Sequence, residues 1–106
     1  MKCFSLGENI DLNAVAAGAT VDLGSAAPAG RGFNAVACFT HASLAGGTFA
    51  AKVQTSPDGT TWTDVMTLTA GVKPGKMQEI TLERYARYNV TVGATAASLG
   101  NFYILV

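Results

Sequence analysis

Along most of this chain apolar and polar residues alternate one for one, and the alternation is cut at short intervals by Gly, Pro, Asn and Asp. A period of two puts successive side chains on opposite faces of an extended strand. No stretch long enough for an amphipathic helix repeats every 3.6 residues. The Ala-rich segment from Leu12 to Ala19 comes nearest, but Gly18 and Thr20 stop it, so it is read as a short turn at most. The chain is therefore expected to be all-β.

Thr48 to Thr55 shows the alternation most cleanly, with Phe49, Ala51 and Val53 inward and Lys52 and Gln54 outward. Ser56-Pro57-Asp58-Gly59-Thr60 follows and is the strongest turn signal. Pro57 presets its dihedral, Asp58 can bond the backbone ahead of it, and Gly59 accepts positive φ. Trp62 to Thr69 returns, so the two strands form a hairpin. Further strands are expected at Thr20–Leu23, Phe33–His41, Met77–Glu83, Tyr85–Val92 and Leu99–Val106. Phe33–His41 is apolar on both faces and should be central or covered on both sides. The apolar strand ending at Val106 should be buried in a sheet or under a neighbouring subunit. Loops are expected at Gly24–Gly32, Ala45–Gly47, Ala70–Gly75 and Gly93–Ser98.

About seven strands joined by turns imply a single β-sandwich or jelly-roll-like domain over residues 20–106. Residues 1–19 show little strand pattern and are read as an extended N-terminal arm.

Charge narrows the function. Seven basic residues balance seven acidic ones, and charged residues make up only 13% of the 106. Such a chain has no electrostatic footprint for nucleic acid or an anionic membrane, and neither partner is expected. No apolar run reaches the ~18–20 residues of a membrane span. Glu8 and Asp11 interrupt any apolar signal region, so a protein made in the cytosol is expected, leaving it in a particle if at all. Cys3 and Cys38 are too few for a disulfide framework. Cys38 reads as a small buried hydrophobe and Cys3 as a free thiol, with a bridge between them the alternative.

Catalytic chemistry is hard to assemble from these residues. A nucleophilic triad needs a base, and His41 is the only histidine. Asp58 has a turn role and Asp64 faces outward on its strand. No CxxC, calcium-loop or phosphate-loop pattern is present, so no metal, cofactor or enzyme activity is expected. Trp62, Tyr85, Tyr88 and Tyr103 could form a sugar platform, although Trp62 is expected to pack on the sheet. Arg84 and Arg87 are expected to pair with Glu79 or Glu83 or to contact a neighbouring subunit.

The hairpin from Phe49 to Val65 carries the pattern Gln54-x-Ser56-x-Asp58-Gly59-x-x-Trp62, and the later strand reads Arg84-Tyr85-x-Arg87-Tyr88. Together these resemble the small head-decoration (cement) proteins of tailed bacteriophages and related β-sandwich virion proteins. The resemblance covers Thr48 to Val92. It implies a virion structural protein on the capsid surface that binds and bridges major capsid protein subunits as a homo-trimer or other homo-oligomer. Similar hairpins occur in carbohydrate-binding modules and in tail or baseplate domains, which is the alternative reading. Capsid contacts are expected from the arm, through Phe4, Leu6, Ile10 and Leu12, and from Arg31 in the loop Gly24–Gly32.

Overall fold

A computed structural model of the chain describes residues 3–24, 33–43, 48–70, 72–73, 75–94 and 98–106. Nine strands and no helix occur among them: β1 (Cys3–Asp11), β2 (Ala16–Ala17), β3 (Val21–Asp22), β4 (Phe33–Ser43), β5 (Ala50–Ser56), β6 (Thr63–Thr69), β7 (Lys76–Leu82), β8 (Tyr85–Val92) and β9 (Leu99–Leu105). They form two antiparallel sheets. One has the order β1-β9-β4-β7; the other runs β2-β8-β5-β6, with β3 also on β8. The expected all-β sandwich is therefore the fold, with nine strands rather than about seven.

The sheets meet through side chains of alternate residues. Phe39 and Phe102 from the first sheet are fully buried and lie 4.9 Å apart, centroid to centroid. Tyr88 of β8 stacks on Phe102 at 4.8 Å and 9°. Phe49, just before β5, stacks on Phe39 at 6.2 Å. Val53, Met66, Leu68, Leu82, Val90 and Ile104 fill the space around these rings. Burying each such side chain contributes roughly 1.5–3 kcal/mol, so the inward alternation is the main source of stability.

The β5–β6 hairpin forms as its turn signal requires, with Gly59 at φ 81°. Its register slips between Val53 and Gln54, where Val65 is the extra residue of a bulge. The bulge frees the Val65 carbonyl to accept a bond from Gln78 Nε2 at 3.3 Å, which ties the edge of one sheet to that of the other. β4 is central, as its apolar character demands. β9 is also internal, between β1 and β4.

Of the expected arm 1–19, the described residues 3–19 do not lie outside the sandwich. Cys3–Asp11 is an edge strand paired with β9, and Leu6 and Leu12 are buried. The strand was obscured in the sequence because its middle, Gly7-Glu8-Asn9, is poor in strand formers. The register is interrupted there twice, and Asn9 takes φ 50°. Gly7 and Gly18 allow the Tyr88 ring to lie directly against the backbone, where a Cβ would collide with it.

Candidate functional site

The motif residues converge on the outer face of the β2-β8-β5-β6 sheet. Register places Gln54 opposite Arg87 on one side and Asp64 on the other. Arg87 Nε donates to Gln54 Oε1 at 2.9 Å, and Gln54 Nε2 donates to Asp64 Oδ1 at 2.8 Å. Lys52 Nζ completes the row on Asp64 Oδ2 at 2.8 Å. The Arg87 guanidinium lies 4.3 Å from the centroid of the Trp62 ring, a cation–π contact. Trp62 is therefore half-buried beneath Arg87 rather than packed in the core, because it falls in the turn exit and not on the inward phase of β6.

The turn is equally tied. Ser56 Oγ, fully buried, accepts from the amides of Asp58 and Gly59 and donates to Asp58 Oδ1. The Asp58 carboxylate accepts in turn from Thr60 and Thr61. Those bonds hold its pKa well below the ordinary carboxylate range, the Thr61 amide contributing most, then Thr60 and the Ser56 hydroxyl. Asp64 is lowered by Lys52 first and Gln54 second. Thr55 Oγ1 joins β8 by donating to the Tyr85 carbonyl and accepting from the Glu83 amide.

The arginines choose partners other than those expected. Arg84 pairs with Asp22 through two bonds of 3.1 Å and covers Tyr85 at 5.2 Å, and Arg87 takes Gln54 and Trp62. Glu79 and Glu83 lie on β7 and just beyond it, whereas Asp22 is brought to Arg84 by β3 pairing on β8, a contact sequence spacing does not reveal.

The opposite broad side, the outer face of β1-β9-β4-β7, is different. Register sets Cys38 between Tyr103 and Met77, and Val36 between Leu105 and Glu79. Met77 is 62% exposed, while Val36, Cys38, Tyr103 and Leu105 are half-buried. No ion pair forms on this face among the described residues. Both thiols are free. Cys3 and Cys38 lie on β1 and β4 with β9 between them and two residues out of line, so they are more than two strand spacings, ~9–10 Å, apart. That exceeds the ~4.4–6.8 Å Cα separation of a disulfide. Burial first, then the nearby Cys3, pushes the Cys38 thiol up, and burial followed by Glu8 and Cys3 pushes up the Tyr103 hydroxyl. A shallow groove lined by Val36, Val65, Ile80, Leu105 and Val106 runs along the end of this side.

Of the expected contact residues, Leu6 and Leu12 point into the core, while Phe4 and Ile10 are half-buried against it. Leu6 and Leu12 are thereby closed to a partner, whereas Phe4 and Ile10 keep part of their surface open at the sheet margin. Arg31 and most of the loop Gly24–Gly32 lie outside the described residues, as does the turn Ala45–Gly47. His41 sits half-buried beside Phe39, its Nε2 donating to the Val72 carbonyl at 3.0 Å, while Nδ1 is buried with no hydrogen-bond partner among the described residues. Among the described residues no three of His, Cys, Asp and Glu cluster to hold a metal, and no helix is long and apolar enough to cross a membrane.

No protein-family model matches the chain, and no curated protein matches it.

Proposed function

We propose that this chain is a structural protein of a bacteriophage particle, decorating the capsid by binding and bridging major capsid protein subunits as a homo-oligomer. The observation that supports this reading is the interlocking of the hairpin motif. Gln54, Ser56, Asp58, Trp62 and Arg87 are engaged with one another or with backbone. In that arrangement the motif, which resembles that of virion β-sandwiches, acts as a brace for a rigid module. A rigid sandwich in which only 13% of the residues are charged suits a protein that packs on a shell, since buried unpaired charge is costly. Co-sedimentation with undecorated capsid shells tests it: a fixed ratio to capsid subunits is expected, and a chain left in the supernatant at every concentration overturns it.

A second reading, a carbohydrate- or host-surface-binding module of a tail or baseplate, rests on the half-exposure of Trp62 and Tyr85. One face of each ring is already covered by an arginine. Quenching of tryptophan emission by a glycan would favour that reading; emission unchanged across a glycan panel would remove it.

A further inference from the structure

We infer that the outer face of the β1-β9-β4-β7 sheet is where two copies of this chain meet, face to face about a two-fold axis. Its centre is Val36, Cys38, Tyr103 and Leu105, with Met77 projecting at the β7 side. The carboxylates near it, Glu8 and Glu79, belong to the two edge strands and so fall at the rim, within reach of water. A face with an uncharged centre can meet its own image without like-charge repulsion, which is what an isologous contact demands. The opposite sheet face cannot do so without stripping water from Lys52, Asp64 and Arg87.

The sheet edges are poor alternatives. β1 is interrupted by two register shifts and by Asn9 at positive φ. The β7 edge spends Gln78 on Val65 and carries Lys76. Bulges and charges of this kind prevent strands from adding edge to edge. Size is sufficient: the molecule measures 41 × 26 × 18 Å. Its broad side, sheet and rim together, offers the ~800 Å² per partner of a standard interface.

The pairing gives the homo-oligomer proposed above a face and a symmetry, and rests on that reading to this extent. One patch meeting itself closes as a pair, whereas a trimer needs two different patches on each copy. Light scattering across a concentration series tests it, together with the Val36→Lys/Met77→Lys variant. The expected mass is twice 10.9 kDa for the native chain and 10.9 kDa for the variant. Met77→Lys alone, at a largely exposed position, serves if the double variant does not fold. Alkylation of Cys38 should slow in step with pairing, and the same dependence should be absent in the variant. A single-chain mass at every concentration, a three-chain mass, or a pair that survives the lysines overturns the inference. A single chain that still co-sediments with shells removes the pairing alone, and a lysine-sensitive pair that ignores the shells removes decoration alone.

Discussion

The two outer faces of this sandwich are built on opposite principles. On β8, β5 and β6 the outward residues hold one another: Arg87 binds Gln54, Gln54 binds Asp64, Asp64 binds Lys52, and Trp62 lies under the guanidinium. On β9, β4 and β7 the outward residues Tyr103, Leu105, Val36, Cys38 and Met77 carry no charge, and the Tyr103 hydroxyl is the strongest polar group among them. The first face is complete in the single chain. The second gains by being covered. The contrast teaches that a motif rich in Trp, Arg, Asp and Gln can mark the self-sufficient side of a domain, while the interactive side is the one with nothing to notice.

Four substitutions or conditions would break or sharpen this contrast. The largest effect is expected at Ser56. Its hydroxyl is fully buried and accepts two backbone amides, so Ser56→Ala leaves donors unpaired and should cost about 1–3 kcal/mol in urea unfolding. A loss below the error of the melt would mean that the turn stands without it. Arg87→Ala removes a bond to Gln54 and the cover of Trp62, and should cost about 1–2 kcal/mol. Tryptophan emission should also move to the red. An unshifted spectrum would show that Arg87 does not shield the ring.

Acid separates the faces by charge. Asp58, Asp64 and Asp22 all have folded pKa values below their ordinary 3.8. Their stabilisation is present above that value and is lost as pH falls through the depressed folded values. Stability should therefore decline below about pH 5 as the unfolded chain begins to take up protons. Asp58→Asn should flatten the decline; an equally steep profile in that variant would place the acid response elsewhere. The smallest effect is expected on the other face. Met77→Lys replaces an exposed side chain and should change monomer stability by no more than about 0.5 kcal/mol. A larger loss would show Met77 to be a packing residue of the monomer.

What could be read without the structure follows the same division. Tyr85–Val92 was legible to the residue, and the β5–β6 hairpin nearly so, because alternation and the Pro57-Asp58-Gly59 turn act locally. β1 was not. Glu8 and Asn9 interrupt its pattern, and its partner is β9 at the far end of the fold, so no local signal announces the pairing. Trp62 escapes the pattern because alternation counted back from the buried Leu68 and Met66 makes it inward, and the bulge at Val65 reverses that phase. The Arg84–Asp22 pair joins strands whose adjacency no spacing encodes. The uncharged centre of the second face left no motif, since Val36, Cys38 and Met77 read in sequence as ordinary strand residues.

The order of strands also decides which strand completes the fold. β5 and β6 close across a turn of a few residues, and β8 can join them soon after. The β1-β9-β4-β7 sheet is completed only by β9, because β9 is the divider that β1 and β4 both pair with, whereas β4 and β7 pair directly. Contacts between distant segments form slowly. A nascent chain cut short of Leu99 would carry a hairpin with its brace already tied and two strands facing an empty slot. Without β9, Phe39 and Tyr88 lack Phe102, the ring that both touch, so the strand that joins β1 to β4 is also the one that seals the core.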